Sequence, residues 1–483
     1  MILVESNQVH LNQIAQYYSS GSLVDFYSSK LVSYRMSKLK FWTPYTARFR
    51  HFLSLAYGFG SKKLILMDGR PSNQAKIVAN DLCSSLKSKR DLERLIVSDI
   101  LIGDLIYDRF LSAHQKATVD LRSIKFRNSC EESLTYFFRW LDFFSKNEIK
   151  AICISHCVYH FAIPARVAIQ RKIPVYEITA GSIFKLDQSN LHSVVSPTTL
   201  KEVAEIGLAT NFQEVESVGK REISNYLEPD EFKNPNLKAL HSREASKNLK
   251  LDPDRITLLI TTHIFYDAPH RFGIALFPDF LEWLEHLGQL SNKTNYNWLI
   301  KVHPDLPSSK ELILLGVLSK YPKLKLIPPA ISHFSLVESG VDYVLTVHGS
   351  VGFEFPLMGV PVIGANPNAP YSSFDFSISP KSVEEYDELI LGLSLNSKSI
   401  EKLDLESFFY ARYMTQSHDW LLKNYPQFLR AVGGMNNSMD KKVIRYFVNN
   451  PDIRPTSEIE QVLFRFFHSG DHVLNMGHFR TGS

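Results

Sequence analysis

Short apolar runs of strand length alternate along this chain with longer stretches whose apolar positions recur every three to four residues. That alternation predicts βαβ units on a largely parallel sheet, and it occurs twice. In the first half the apolar runs fall at residues 63–67, 151–154 and 174–178, with helical patterns at 129–144 and 161–171. In the second half the runs fall at 256–261, 298–302, 324–327, 343–347 and 361–364, and helical patterns at 278–290, 309–320 and 332–339 fill the intervals. The expected fold class is α/β: two Rossmann-like domains facing across a cleft, with C-terminal helices.

Residues 214–254 are rich in Lys, Glu, Asn and Ser and hold no long apolar run, so the connection between the halves is placed there. The expected division is a first domain at 1–225, a linker at 226–254, a second domain at 255–435 and a helical extension at 436–483. The extension carries Val443, Tyr446 and Phe447, then Ile459, Val462, Leu463 and Phe466, at helical spacing. This reads as helices docking on the body rather than as a membrane-surface helix.

The 483 residues are 44% hydrophobic, 22% charged and 12% aromatic, which excludes collagen-like, low-complexity and largely disordered classes. Lys plus Arg (54) against Asp plus Glu (50) leaves +4, too small a surplus over this length to argue for a nucleic-acid partner. Four cysteines, Cys83, Cys130, Cys153 and Cys157, need no disulfide framework in so large a chain and point to a reducing compartment. Cys153 and Cys157 have three residues between them, not the two of a zinc or redox pair, and read as packing. The first 18 residues include Glu5, Asn7, Gln8, His10 and Gln13 and lack the apolar core of a secretion signal. No run approaches the roughly 18 consecutive apolar residues that cross a bilayer. A cytoplasmic protein is expected, at most peripheral to a membrane.

In open parallel sheets ligands bind beyond the carboxyl ends of the strands, where helix N-termini present unpaired N–H groups. The run at 256–261 leads into Thr262, His263, Ile264, Phe265, Tyr266, Asp267, Ala268, Pro269 and His270. The run at 298–302 leads into His303, Pro304 and Asp305, and that at 343–347 into His348, Gly349, Ser350, Val351, Gly352, Phe353 and Glu354. Parallel strands would place these three histidine-bearing loops on one edge of one sheet. On a smaller scale the first half repeats the pattern: Met67 precedes Asp68, Gly69 and Arg70, Ile154 precedes Ser155 and His156, and Tyr176 precedes Glu177, Ile178 and Thr179.

A single strand-end histidine is as readily structural as functional. Lys301 and His303, two apart, put two donors on one side of a strand with Pro304 fixing the backbone beyond, an arrangement suited to a phosphate. His348, Gly349 and Ser350 read as a turn into a helix, where Gly permits close approach and the Ser hydroxyl either caps the helix or touches a ligand. Glu354, four residues after Ser350, faces the same way, lies one residue too far for a capping box, and suits ribose hydroxyls. Pro356 should shorten or kink that helix. Asp267, between His263 and His270, is the candidate nucleophile or general base, with the imidazoles as donors. The same loop also reads as a plain turn, or as a zinc or manganese site. Asp252, Pro253 and Asp254 precede their strand, lie on the wrong edge and read as a turn.

The segment from Val347 through Glu354, followed by Leu357, Met358, Gly359, Val360, Pro361, Val362 and Ile363, resembles the nucleotide-binding segment of bacterial capsule and lipopolysaccharide glycosyltransferases of the two-Rossmann-domain (GT-B) type. Lys301, Val302, His303 and Pro304 are similar to the His-Pro element of CMP-sugar-using sialyltransferases and Kdo transferases. Gly103 to Asp108, Ser155 to Tyr159 and Ile173 to Tyr176 look like segments of capsule-biosynthesis proteins. The resemblance spans about residues 101–389.

It implies an acceptor-side first domain, a second domain that binds a nucleotide sugar, and transfer of Kdo or a related ulosonic acid from a CMP-sugar. The acceptor would be an oligosaccharide or glycolipid of a bacterial surface polysaccharide, met on the cytoplasmic face of the inner membrane or among other polysaccharide-assembly enzymes. No essential metal and no cofactor beyond the donor are expected. Carried over, Lys301, His303, His348 and Gly349 lie against the donor, His303 on its phosphate. Ser350 holds phosphate or base, Glu354 the ribose, and Asp267 is the catalytic carboxylate, a nucleophile in members that retain configuration. His263, His270 and Glu177 are the other catalytic candidates. A nucleotide-sugar epimerase or hydrolase of the same architecture, and a non-catalytic scaffold in polysaccharide assembly, are the alternative readings.

Overall fold

The computed structural model describes residues 2–5, 24–27, 64–65, 70–154, 156–179, 181–192, 196–228, 240, 249, 251–303, 311–395, 400–417, 430–431 and 456–479. Met67, Asp68, Gly69, Ser155, Ala180, Pro304, Asp305, Val443, Tyr446 and Phe447 lie outside these. Two compact units are formed, one from Met1–Ala113, Val119–Ser193 and Gln416–Ser483, the other from His114–Thr118 and Val194–Thr415.

The first unit contains β1 (Ile2–Glu5), β2 (Val24–Tyr27), β3 (Leu64–Ile65), a small antiparallel pair β4 (Ile96–Val97) and β5 (Ile100–Leu101), then β6 (Ala151–Ile154), β7 (Val175–Ile178) and β8 (Ile183–Leu186). Its sheet has the order β3-β2-β1-β6-β7-β8, parallel except for the β7–β8 pair. Beside it Asp104, at the start of the helix Gly103–His114, takes two hydrogen bonds from the Arg166 guanidinium at 2.6 and 2.5 Å. Both side chains are 1% exposed. Arg166 also donates to the Leu101 carbonyl at 2.7 Å. Burial opposes the charge on Asp104, but the Arg166 guanidinium and His192 outweigh it and hold the carboxyl far below its usual range.

In the second unit the strands are β9 (Thr257–Thr261), β10 (Asn297–Lys301), β11 (Leu324–Leu326), β12 (Tyr343–Thr346), β13 (Val362–Gly364) and β14 (Ser377–Ile378). All are parallel, in the order β11-β10-β9-β12-β13-β14. Renumbered within the unit this is 3-2-1-4-5-6, the order of a doubly wound nucleotide-binding sheet, and the first sheet has the same order with its last strand reversed. Alternation explains why the strands are apolar on both faces. Leu258, Ile260, Trp298, Ile300, Leu345 and Ile363 join one core, while Leu259, Leu299, Val344 and Val362 join the other. Helix starts carry the expected chemistry: Asp279 and Ser332 each accept the N–H three residues on, opening Phe280–Lys293 and His333–Glu338.

The division between units departs from the expected one. Helices Pro197–Thr210 and Phe212–Leu227 belong to the second unit, packed on Lys402–Thr415, rather than ending the first domain. The reason is close backbone packing: a Cβ on Gly219 would strike the Glu406 backbone, and one on Gly207 the Tyr410 ring. The apolar stripe behind this contact is thin, Val215 and Val218 against Tyr410. The C-terminal stretch is part of the first unit. Helix Thr456–His468 turns Ile459, Val462, Leu463 and Phe466 inward, and Leu474 N–H donates to the Ile183 carbonyl of β8 at 3.0 Å. Among the described residues no helix is long and apolar enough to cross a membrane.

Candidate functional site

In a sheet of this order the crevice opens beyond the carboxyl ends of the first and fourth strands, because chain connections leave those ends in opposite directions. In the second unit those strands are β9 and β12. A cavity of about 130 Å³ lies there, lined by Thr261, Thr262 and His263 after β9, by Lys301, Val302 and His303 at the end of β10, and by Thr346, His348, Gly349, Ser350, Val351 and Glu354 after β12. His333 completes the wall. Register sets these residues level: Lys301 pairs with Thr261 and Leu345 with Ile260, so all three strands leave the sheet together.

The imidazoles are packed rather than solvated. The His263 ring stacks on Phe280 at 4.5 Å and meets His348 at 4.6 Å, while Phe272 meets His348 edge-on at 4.8 Å. Burial, aided by His303, pushes His263 down to about 3, and burial with His263 and Arg271 pushes His348 well below its ordinary value. Both are neutral at pH 7. Nε2 of His263 accepts the His348 N–H at 3.3 Å, which assigns the proton of the neutral ring to Nδ1. The Thr346 hydroxyl donates to the His348 carbonyl at 3.0 Å and ties down the turn. Gly349 within it has φ +112°, a conformation that strains any side-chain-bearing residue.

Lys301 and Glu354 carry the buried charge. Lys301, 5% exposed, donates from Nζ to the Ile331 carbonyl. Burial lowers it to about 8, against the opposing pull of Glu354. Glu354, 1% exposed, accepts the Tyr226 hydroxyl on Oε1 at 2.6 Å, and its Oε2 lies 3.3 Å from Nδ1 of His333. Burial alone would raise its pKa, but His333, Tyr226 and Ser350 outweigh that and hold it below the usual carboxylate range. Ser350 makes no side-chain cap on the helix Val351–Leu357 and hydrogen-bonds Glu354 instead. That helix, with Pro356 inside it, is seven residues long.

Seven of the sequence candidates therefore meet in this cavity: His263, Lys301, His303, His348, Gly349, Ser350 and Glu354. Three do not line it. Asp267 is exposed in the turn after β9, where its Oδ1 accepts the Ala268 N–H at 2.9 Å. His270 is 3% exposed three residues later. Glu177 belongs to the first unit, buried in β7 with the Cys157 thiol 3.5 Å from its Oε2. Among the described residues no group of three His, Cys, Asp or Glu side chains could hold a metal ion. Asp252 to Asp254 form a turn, with Asp254 N–H on Asp252 Oδ1 at 3.2 Å. Two contributors escaped the sequence reading. His333 follows β11 as the others follow their strands, and the same question asked of that strand would have found it. Tyr226, 128 residues from Glu354, carries no local signal.

No protein-family model matches the chain, and no curated protein sequence matches it. Among solved structures it is similar to the UDP-GlcNAc 2-epimerase of Neisseria meningitidis, with 10% identity over 84% of this chain and 97% of that one and a TM-score of 0.24. MurG of Acinetobacter baumannii gives 11% identity, 88% and 96% coverage and a TM-score of 0.26. The glycotransferase of kitacinnamycin gives 11% identity, 92% and 98% coverage and a TM-score of 0.20. Identities this low speak to fold alone, and superposition this loose adds nothing to what the strand order establishes.

Proposed function

We propose that this protein is a nucleotide-sugar-dependent glycosyltransferase of GT-B architecture whose second unit seats the donor phosphate. The observation that carries the reading is the cavity at the switch point of a 3-2-1-4-5-6 sheet, where Lys301 shares the wall with the packed imidazoles of His263 and His348. At about 130 Å³ it is smaller than the roughly 300–1,000 Å³ that enclose a whole small-molecule ligand, which suits a phosphate with base and sugar extending beyond it. Lys301, His303 and Ser350 would hold the phosphate. Glu354 already accepts the Tyr226 hydroxyl on Oε1 and has His333 Nδ1 3.3 Å from Oε2, so a ribose hydroxyl would share the carboxylate with them.

The finer reading is a CMP-linked acidic sugar, Kdo or a related ulosonic acid, passed to a polysaccharide or glycolipid acceptor by a cytoplasmic enzyme without an essential metal. It rests on the sequence resemblance. Asp267 would attack the anomeric carbon and form a C–O bond as the bond to the donor phosphate oxygen breaks and the phosphate leaves with the electron pair. An acceptor hydroxyl would then displace the carboxylate and give up its proton to solvent.

Incubation with CMP-, UDP- and GDP-sugars and an oligosaccharide acceptor tests this, alongside Lys301→Met and Asp267→Asn. Transfer from a CMP-sugar is expected, with donor binding lost in the first variant and turnover lost in the second while binding persists. Product formed without acceptor would replace transfer by epimerisation or hydrolysis. Absence of binding to any of the three nucleotides overturns the reading.

A further inference from the structure

The cavity has one anchor that does not line it. Tyr226, on the helix Phe212–Leu227, reaches Glu354 with its hydroxyl at 2.6 Å, and its ring is fixed edge-on by Phe353 at 5.5 Å and Phe409 at 5.6 Å. The Arg412 guanidinium lies 5.8 Å from the centre of the same ring and 4.7 Å from that of Phe353. A phenol gripped in this way has little rotamer freedom, so its hydroxyl is held in place before any ligand arrives. We propose that Tyr226 is a positioning residue that fixes the Glu354 carboxylate and thereby sets the charge the cavity presents to an anionic ligand. Fixing of the carboxylate stands independently; the consequence for a ligand rests on the function proposed above.

The chemistry follows from burial. A carboxylate with 1% exposure stays ionised only while donors replace the water it has lost. The Tyr226 hydroxyl does so at Oε1, while His333 Nδ1, 3.3 Å from Oε2, and Ser350 of the turn after β12 stand beside the carboxylate and favour its charge. The other charged groups facing this cluster are Lys301 from β10 and Arg412 from the helix Lys402–Thr415, the latter also feeling Glu222. Removal of the phenol hydroxyl leaves Oε1 without its 2.6 Å donor, and burial then favours the neutral acid. Lys301 loses its anionic neighbour in the same step, and burial acts on the ammonium unopposed. The cavity's cation therefore depends on a hydroxyl outside the cavity.

The test uses the full chain with Tyr226→Phe, which keeps the ring and its packing, and Glu354→Gln, which cuts the same link from the other end. Lys301 reactivity toward acetic anhydride is measured from pH 6 to 9 by peptide mass spectrometry, and CMP affinity over the same range by titration calorimetry. In the parent, reactivity should rise around pH 8. Both variants should shift that rise to lower pH, and both should bind CMP about tenfold more weakly at pH 8, a loss near 1.4 kcal/mol. At pH 6 the loss should disappear, because Lys301 is then protonated in every form. A purely structural role for Tyr226 would weaken binding equally at both pH values. An unshifted reactivity profile in Tyr226→Phe overturns the proposal, and an unshifted one in Glu354→Gln does so independently. A shifted profile in a parent that binds no CMP keeps the positioning role and removes the proposed function instead.

Discussion

Lowering the pH from 7 to 5 should destabilise both units through imidazoles that the fold keeps neutral. His160, 6% exposed in the first unit, accepts or donates at Nε2 to the Ser133 hydroxyl at 3.0 Å and stacks on Tyr136 at 5.1 Å. Burial, with Arg109 nearby, pushes it down to about 3, as burial does for His263 in the second unit. Unfolded, both titrate near 6.5, so between about 6.5 and 3 the unfolded chain binds more protons than the folded one. Stability from this source is complete above 6.5 and drains away as pH falls. At pH 5 the unfolded group lies about 1.5 pH units below its pKa, which costs the folded state about 2 kcal/mol per histidine, against a few tenths at pH 7. That figure barely depends on the folded value once it is well below 5. His333 and His348 are depressed as well, so the second unit should lose more than the first. Asp104 and Glu354 are depressed carboxylates whose contribution is lost only at lower pH, as it falls below the unfolded values of about 4 toward the folded ones. The window from 7 to 5 thus isolates the imidazoles. Urea unfolding at the two pH values reads it through Trp140, 6.1 Å from Tyr136, and Trp283, 6.5 Å from His263. His160→Asn should shrink the drop reported by Trp140 by about 2 kcal/mol, and His263→Asn that reported by Trp283. Drops of the same size in parent and variants would refute the reasoning.

Two further expectations concern stability alone. Asp104→Ala strands a guanidinium that is 1% exposed and should cost about 3–5 kcal/mol in urea unfolding, whereas Asp104→Leu combined with Arg166→Met should recover most of that loss. Gly352→Ala would drive a Cβ into the Tyr371 ring, which is 1% exposed and cannot swing away, at about 1–3 kcal/mol, and Tyr371→Leu in the same chain should restore part of it.

The second unit was legible because its strands are buried on both faces. An apolar run such as Thr257–Thr261 stands out against polar flanks, and β9 to β13 fall within a residue of the expected bounds, while β14, two residues long, is too short to register. The first unit was harder to read. Its strands β1 and β2 are four residues each, too short for a period to register, and β4 and β5 are shorter still. The helices at 197–227 were assigned to the wrong side because what binds them to Lys402–Thr415 is backbone approach at Gly207 and Gly219, and a missing side chain leaves no mark in hydropathy. The cavity wall was visible for the converse reason. Where a ladder ends, side chains need not be apolar, so polar residues there stand out; Asp267 and His270 share that loop but fold into its turn and its packing.

The same burial that neutralises the histidines also explains why so few charges can matter at this cavity. An imidazole packed against Phe280 and Phe272 offers hydrogen-bonding capacity without charge, and it offers this without competing for counter-ions. Charge is left to Lys301, and an isolated ammonium at that depth would be expensive to keep protonated. Glu354 offsets that cost only while it is ionised, and without its donors burial would turn it into the neutral acid. The Tyr226 hydroxyl on Oε1, with His333 and Ser350 beside the carboxylate, keeps it ionised and so leaves Lys301 its proton. An anion arriving at the end of β10 would then replace the carbonyl of Ile331 as the partner of Nζ, exchanging a neutral acceptor for a charged one. The gain from that exchange exists only in the protonated lysine, which is why a phenol on a helix behind the cavity has a place in its chemistry.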